Sequence, residues 1–303
     1  MGDFFLRDEI RGYMAVAVAA VLWGVGGSVA KLMFNQAMSP FLLVKLRLSL
    51  SFLVLAVGLY FYKPELLKIS KRDIGYFAIL GIFGMSAVNF FYYFTILSTN
   101  VATAVFLEYL APVFMAAYAV LWQKVSLGWF RGGAVFLATF GGLLILLGTG
   151  DLASISMMGV ASGLLSAVFM AFNTIFGQRA VRQYQPVTAL LYSIGFGALF
   201  WWVILPHGWE SEGITAAHLG MLSYVVIFST IIPFLLYFIG MRFLPPTNVG
   251  VTACMEPVWA SLVAYWVLGE TMSVLQMAGG ALVVIAVILL QLNFKSKPDI
   301  GGS

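Results

Sequence analysis

The sequence contains little charge. Only 9% of its 303 residues are charged and 62% are hydrophobic, whereas a soluble domain has about 25% charged residues. A soluble fold of this length needs a polar surface that these residues cannot supply, so we expect lipid to cover much of the exterior. The net charge of +4 would suggest nucleic acid in a soluble protein. Here it follows from basic loop residues, and no nucleic-acid partner is predicted.

Several catalytic motifs are also absent. The single Cys254 cannot form an intramolecular disulfide. The chain has no GxxxxGK[ST] phosphate loop, no HExxH zinc motif and no GxSxG nucleophile elbow. His207 and His218 fall in or beside one predicted outer loop. We therefore predict no enzymatic activity, no catalytic residue, no metal and no cofactor.

Long apolar segments dominate what is present. A helix needs about 20 apolar residues to cross the hydrocarbon core of a membrane, and weak strand alternation argues against a β-barrel. The expected fold is an all-α integral membrane protein of ten transmembrane helices. The predicted helices are Gly12–Phe34, Pro40–Tyr62, Ile74–Leu97, Val101–Trp122, Gly128–Leu147, Met157–Arg179, Pro186–Leu205, Leu219–Met241, Val249–Leu268 and Ser273–Phe294.

The distribution of lysine and arginine predicts the orientation. With a cytoplasmic N-terminus, every basic residue except Lys31, Lys45 and Arg47 falls on the cytoplasmic side. The predicted outer loops carry acidic residues instead, namely Asp151, Glu210, Glu212 and Glu270. We therefore predict a multi-pass protein of the inner (plasma) membrane with both termini in the cytoplasm.

The two halves of the chain resemble each other at an offset of 145 to 147 residues. Pro112-Val113 matches Pro257-Val258, and Gly132-Gly133-Ala134 matches Gly279-Gly280-Ala281. Five helices is an odd number, so the second half must enter the membrane from the opposite side. We predict two inverted five-helix repeats, residues 1–150 and 151–303. Such repeats are common in secondary transporters, with the substrate site near the midplane between them.

Two glutamates lie inside predicted spans, where a charge costs about 3 kcal/mol even on lenient scales. Glu108 lies within the fourth helix and Glu256 within the ninth. Each must face a cavity or a partner, so each is a candidate for substrate binding or proton coupling. For Glu108 an ion pair with Arg47 or Lys45 is an equal alternative. No basic residue is evident at the depth of Glu256.

Aromatic and amide side chains near these glutamates complete the predicted substrate site. Aromatic faces attract ammonium groups through cation–π contacts, although most aromatic residues in a membrane protein serve packing. Buried amides either bind substrate or join helices through hydrogen bonds. The candidates are Trp259, Tyr92, Tyr93, Trp23, Asn89 and Asn173.

Prolines and glycines predict where the helices bend and pack. Pro112 and Pro257 each remove a backbone hydrogen bond within a span, and either a hinge or a simple kink explains them. Together with Lys45 and Arg47 they are our structural or gating candidates. The GxxxG pairs Gly128/Gly132 and Gly159/Gly163 predict close helix contacts.

The chain resembles the drug/metabolite transporter superfamily, specifically its ten-helix EamA-type branch, over about residues 12–293. The resemblance rests on five short segments: Leu22-Trp23-Gly24, the Pro40…Arg47 spacing, Val101-Ala102-Thr103-Ala104 leading to Leu110–Phe114, Glu256-Pro257-Val258 and Leu268-Gly269-Glu270. It implies alternating access around a central cavity lined mainly by helices 1, 3, 4, 6, 8 and 9. It also implies export of amino acids, other metabolites or drugs.

We therefore expect a secondary transporter that exports a small amphipathic metabolite, such as an amino acid or an organic cation. Proton coupling through a glutamate, exchange and facilitated diffusion all remain open. A passive channel and a membrane-embedded enzyme are the alternatives. The sequence leaves the substrate and the oligomeric state undetermined.

Overall fold

A computed structural model of the chain describes residues 2–148, 150, 156–205, 216–259 and 273–294. Throughout these ranges the regular elements are helices. They are α1 (Gly2–Asn35), α2 (Pro40–Tyr62), α3 (Ile74–Ile79), α4 (Val88–Ser98), α5 (Val101–Glu108), α6 (Ala111–Leu121), α7 (Gly128–Gly148), α8 (Met157–Gln183), α9 (Pro186–Ile204), α10 (Ala216–Val226), α11 (Ile232–Phe243), α12 (Pro246–Ala253) and α13 (Val274–Phe294). Short 3₁₀ turns, Pro64–Leu67 and Lys71–Asp73, join α2 to α3.

Within the described residues, eight helical segments are long and apolar enough to cross a membrane. They coincide with the first eight predicted spans to within a few residues at most ends. The predicted ninth helix, Val249–Leu268, lies partly outside the described residues, and the tenth contains the shorter apolar helix Val274–Leu289. The chain is thus an all-α integral membrane protein. The count of ten and the inverted repeat stay predictions.

Polar capping residues and prolines determine where several helices begin. The side chains of Ser39, Asn100 and Ser156 each accept a hydrogen bond from a first-turn backbone N–H, at the starts of α2, α5 and α8. Pro40 follows Ser39 at a position where a missing N–H has no cost. These caps explain why the predicted and observed helix starts agree so closely.

Large apolar side chains cover the exterior of the bundle. Trp129 is 95% exposed, Phe61 75%, Val203 68% and Phe136 66%. In water so much exposed apolar surface would drive aggregation, but in a bilayer it is matched to the lipid chains. The exterior is therefore the lipid-facing surface.

Two helices contain a π-helical segment, in which hydrogen bonds run from residue i to i+5. Leu80–Ala87 joins α3 to α4, and Ile227–Ile231 joins α10 to α11. Adding 145 to the numbers of the first segment gives a range that contains the second. The offset of 145 residues that relates matching residues in the two halves therefore also relates the two π-helical segments.

The helices pair across the two predicted halves of the chain. α1 packs against α11 and α4 against α8, while α2 packs against α9 and α7 against α13. The first two pairings surround the centre of the bundle, and the last lies beside it. This arrangement places the middle parts of several helices around one interior space.

Candidate functional site

Glu108 is the last residue of α5, and the helix resumes only at Ala111. Tyr109 and Leu110 form a turn between the two segments. Pro112 is the second residue of α6, where its missing N–H is tolerated. In a continuous helix Glu108 and Tyr109 would diverge by about 100°. The turn lets both side chains line the same cavity.

A second interruption precedes Glu256. α12 ends at Ala253, residues 254–255 form a turn, and residues 256–259 are helical again with Pro257 in second place. The two turns, 109–110 and 254–255, are 145 residues apart. The Tyr109 hydroxyl donates a hydrogen bond of 2.5 Å to Glu256 Oε2. The two interruptions therefore meet in space.

A small central cavity of about 40 Å³ lies between these interrupted helices. Its lining combines two acidic residues, one basic residue and several aromatic rings. The residues that line it are Trp23, Gly26, Gly27, Arg47, Val88, Asn89, Tyr92, Tyr93, Glu108, Met170, Ser229, Phe234 and Glu256. They come from α1, α2, α4, α5, α8, α11, the second π segment and the helical turn at residues 256–259.

A smaller cavity of about 10 Å³ shares Trp23, Glu108, Met170 and Glu256 with the first. Its other lining residues are mainly apolar: Tyr109, Ala111, Pro112, Met115, Tyr237, Gly250 and Ala253. The four shared residues form the boundary between a polar chamber and an apolar one. The lining therefore changes from polar to apolar across these four residues.

Both glutamates in the cavity wall have a hydroxyl as hydrogen-bond partner. Ser166 Oγ donates a hydrogen bond of 2.5 Å to Glu108 Oε2, and the Tyr109 hydroxyl donates one to Glu256 Oε2. No ion pair joins Glu108 or Glu256 to another described residue, so neither glutamate has a described basic nitrogen within 4.0 Å. A buried carboxylate without a cation is costly. The pair is therefore suited to a cation or proton that arrives in the cavity.

Arg47 enters the same cavity from α2 and is only 3% exposed. Its Nε donates to Thr230 Oγ1 at 2.9 Å, and its Nη2 donates to the Ser229 carbonyl at 2.9 Å. Its Nη1 donates to the Tyr93 hydroxyl. The guanidinium group is thus held by three neutral oxygens.

The described residues contain no group of three or more His, Cys, Asp or Glu side chains that could hold a metal ion. What the cavity offers is a pair of carboxylates, one guanidinium and aromatic faces.

Two stretches of the chain, residues 10–147 and 157–292, match the pattern of the EamA-like transporter family. The chain belongs to the EamA-like transporter family. The two stretches nearly coincide with the predicted halves, residues 1–150 and 151–303. Identification by family also agrees with the resemblance drawn from the short sequence motifs.

Curated relatives of this EamA-like transporter span nearly its full length. An uncharacterized inner membrane transporter, YicL, of Salmonella typhimurium is 28% identical over 295 residues, covering 95% of this chain and 97% of that protein. The threonine/homoserine exporter RhtA of Escherichia coli is 29% identical over 275 residues, covering 89% and 87%. An uncharacterized transporter of Archaeoglobus fulgidus is 29% identical over 251 residues, covering 80% and 86%.

A crystal structure of a protein that is 19% identical to this EamA-like transporter has the same fold. The two superpose with a TM-score of 0.73, covering 94% of this chain and 97% of the other.

Six of the eight predicted substrate-site residues line the central cavity. They are Trp23, Asn89, Tyr92, Tyr93, Glu108 and Glu256. The ion pair considered for Glu108 with Arg47 or Lys45 is absent from the described contacts, and Glu108 accepts a hydrogen bond from Ser166. The cavity also receives Arg47 from the second helix, which the family resemblance did not include among the lining helices.

Asn173 and Trp259 are not among the residues that line either cavity. Asn173 is completely buried, and its amide lies against Gly84 in the first π segment. A Cβ atom on Gly84 would approach Asn173 Oδ1 to 2.8 Å. This contact places Asn173 in the packing between α8 and the π segment.

The four structural or gating candidates occupy three kinds of position. Pro112 and Pro257 are each the second residue of a helical segment that follows a turn, and of the two only Pro112 lines either cavity. Lys45 Nζ donates to the Leu205 carbonyl at 2.7 Å and lies 3.6 Å from the centre of the Trp202 ring, away from both cavities. Arg47 is a cavity residue. A gating role for any of them stays a prediction.

Sequence reasoning missed several contributors to the site. Tyr109 and Ser166 hold the two glutamates, and Ser229 and Thr230 hold Arg47. Small hydroxyl residues are frequent throughout the spans, so no sequence signal distinguishes these ones. Tyr109 had one signal available, its position between a mid-span glutamate and a mid-span proline.

Proposed function

We propose that the protein is a secondary transporter that exports a small amphipathic metabolite bearing an ammonium group across the inner membrane by alternating access. Amino acids and organic cations are the two substrate classes. One observation carries the proposal: Glu108 and Glu256 face one buried, aromatic-lined cavity without a cationic partner among the described residues. An ammonium group would neutralise this site and contact the rings of Trp23 and Tyr92.

Alternating access is supported by the construction of the cavity. Its walls come from both predicted halves, and its two glutamates lie at helix interruptions. Transporters commonly place their sites at such discontinuous helices, between repeats that rock against each other. The match of the family pattern to two successive stretches supports the inverted repeat as part of this proposal.

The carboxylates also supply a route for coupling. When the ammonium group leaves, a proton can take its place on Glu108 or Glu256, because either charge alone is unfavourable in a buried cavity. Proton exchange is therefore the coupling that we propose. The cytoplasmic location of both termini rests on the distribution of basic residues.

The proposal is tested by ligand-induced thermal stabilisation of the purified protein, because binding to the native state raises the melting temperature by mass action. The panel comprises amino acids, aliphatic amines, quaternary ammonium drugs, nucleosides and sugar phosphates. Each is measured on the wild type, on Glu108→Gln and on Glu256→Gln. Glu65→Gln is the matched control, because Glu65 is exposed in the 3₁₀ turn Pro64–Leu67 and lines neither central cavity.

We expect ammonium-bearing ligands to stabilise the wild type and Glu65→Gln, and to lose their effect in Glu256→Gln. Liposomes containing the protein should then show saturable counterflow of the same ligand. Stabilisation by sugar phosphates alone, or an undiminished effect of amines on Glu256→Gln, would contradict the proposal. Flux without saturation or counterflow would indicate a passive channel instead.

A further inference from the structure

A groove of about 710 Å³ lies between α1, α9, α11 and the 3₁₀ turn that follows α2. It shares no lining residue with the two central cavities. Pockets that hold small organic molecules in proteins measure about 300–1,000 Å³. The groove is therefore large enough for a ligand, and the proposed transport function makes no use of it.

The polar residues of the groove lie just outside the predicted spans, at the span ends that are predicted to face the cytoplasm. Lys63 directly follows the second predicted span and Arg242 the eighth, while Gln185 directly precedes the seventh. The polar part of the groove therefore lies at the level of the lipid headgroups on the cytoplasmic side. Its members are Asp8, Arg11, Lys63, Glu65, Gln185 and Arg242.

The apolar residues of the groove extend from this level towards the middle of the membrane. On α11, Leu235 and Ile239 precede Arg242 by seven and three residues, so the three share one face of the helix. Leu235 is therefore about 10 Å deeper in the bilayer than Arg242. Leu235 and Ile239 are partly exposed, and Val187 of α9 lines the groove with them. The groove thus runs along α11 with charged groups at its cytoplasmic end and apolar side chains deeper in the membrane.

The charged groups of the groove leave an excess of positive charge. Three of its lining residues are basic and two are acidic. Arg11 Nη1 pairs with Asp8 Oδ1 at 3.0 Å, whereas Arg242 Nη1 donates to the neutral Gln185 Oε1 at 2.7 Å. No ion pair joins Lys63 or Arg242 to another described residue. Two cations are therefore available to an anion at the cytoplasmic end of the groove.

We infer that the groove binds one anionic phospholipid of the cytoplasmic leaflet. The phosphate contacts Lys63 and Arg242, and the first part of one acyl chain lies along Leu235 and Ile239. Basic pockets between membrane helices on the cytoplasmic side hold anionic headgroups, and here an apolar wall continues from the basic residues in the direction of an acyl chain. The inference goes beyond the proposed function and does not depend on the transported substrate.

Native mass spectrometry of the purified full-length chain tests the class of lipid. The probes are the dioleoyl forms of phosphatidylglycerol, phosphatidylethanolamine and phosphatidylcholine, of which only the first has a net negative charge. We expect the first phosphatidylglycerol to bind at least about fivefold more tightly than either of the other lipids, since one Lys or Arg near an anionic surface contributes about that factor. Glycerol 3-phosphate, which has the phosphate and no acyl chain, should not bind measurably. Tight binding of glycerol 3-phosphate, or equal binding of the three lipids, would overturn the inference.

Variants at the cytoplasmic end then locate the site. The double variant Lys63→Gln/Arg242→Gln should lose the preference for phosphatidylglycerol, and Glu65→Gln should strengthen it, because a carboxylate near the phosphate is removed. Lys71→Gln/Arg72→Gln is the matched control, since it removes one lysine and one arginine on the same predicted side but outside the groove. All five side chains are exposed, so the variants should fold. An equal loss in both double variants would assign the preference to general surface charge and overturn the inference.

A variant of the apolar wall tests the position of the acyl chain. Ile239→Trp places a larger side chain in the groove, away from the basic residues, and should weaken phosphatidylglycerol binding although every charge is kept. Unchanged binding to Ile239→Trp would overturn the placement of the lipid along α11. None of these outcomes bears on the ammonium site, because its glutamates are unchanged in every variant.

Discussion

The interrupted helices at the centre and the α7–α13 pair beside them are both mainly apolar, but they pack in different ways. At the centre, turns at residues 109–110 and 254–255 bring Glu108, Tyr109 and Glu256 to one cavity. In the α7–α13 pair the helices continue without a break and approach backbone to backbone. A Cβ on Gly141 would lie 2.6 Å from the Gly279 carbonyl oxygen, and the reciprocal distance is 2.4 Å.

The difference shows how the membrane limits the placement of chemistry. Free backbone groups are tolerated within a bilayer only where protein or a cavity receives them. An interruption therefore needs a polar interior, and the same interior accommodates ionisable side chains. A continuous helix needs no such interior and can pack through glycine alone. Changes at the centre should affect ligand binding, and changes in the α7–α13 pair should affect stability.

The largest effect that we expect is on transport, from Glu256→Gln. The change removes a charge that the cavity presents to the ammonium group and keeps the size of the side chain. Ligand affinity and counterflow should fall by about a hundredfold, since a charged hydrogen bond contributes about 2–3 kcal/mol. The unliganded protein should remain as stable as the wild type. If Glu256→Gln lost stability but kept normal affinity, the centre of the bundle would determine stability and not ligand binding.

The next effect is on stability, from Gly141→Leu in α7. The leucine side chain has no space between α7 and α13, and overpacking costs about 1–3 kcal/mol. The melting temperature in detergent should fall, and the affinity of the surviving folded protein should not. Gly132→Leu is the matched control on the same helix, because no described atom lies within 4 Å of a Cβ at Gly132. Equal losses in both variants would show that the glycine contact is not the cause.

A smaller effect on binding is expected from Tyr109→Phe. The change removes the hydroxyl that donates to Glu256 at 2.5 Å and keeps the ring. We expect an affinity loss of about fivefold, corresponding to about 1 kcal/mol for one hydrogen bond. Calorimetry with the ligand found for the wild type measures it. Suppose Tyr109→Phe left the affinity unchanged while Glu256→Gln still weakened binding. The turn at residues 109–110 would then have no role in positioning Glu256.

The smallest effect is expected from Asn173→Ala. Asn173 is a buried amide of α8 that packs on Gly84 and lies outside both cavities. Its removal should leave ligand affinity at the wild-type value, whatever it does to the melting temperature. A clear loss of affinity would restore Asn173 to the substrate site, where its position in the sequence had suggested it.

The spans and the two glutamates could be predicted because each depends on local composition. Hydropathy identified Pro40–Tyr62 with the bounds that the structure has, and the cost of a mid-span charge pointed to Glu108 and Glu256. Tyr109 could not be predicted, because helical periodicity directs adjacent residues to different faces. The turn after Glu108 is what brings both side chains to one cavity. Pro112 alone does not determine which residues form that turn.

Glycine motifs show a similar limit. The contact expected for Gly159 and Gly163 is confirmed, since Cβ atoms there would approach Thr99 Cγ2 to 2.3 Å and Leu107 Cδ1 to 2.5 Å. The contact expected for Gly128 and Gly132 is wrong, because both face open space among the described residues. A GxxxG pattern indicates that a close approach is sterically allowed. It does not indicate which face of the helix meets a neighbour.

The π segment at Leu80–Ala87 gives the third predicted span a tolerance that the continuous helices lack. A π turn contains more residues than an α turn, so the chain there is longer than an α-helix needs. Deleting one residue within it can be absorbed by conversion to α-helix, and Asn89, Tyr92 and Tyr93 would keep facing the cavity. The same deletion in the continuous α7 would rotate every following side chain by about 100°. Length variation among related transporters should therefore concentrate at this segment and at Ile227–Ile231.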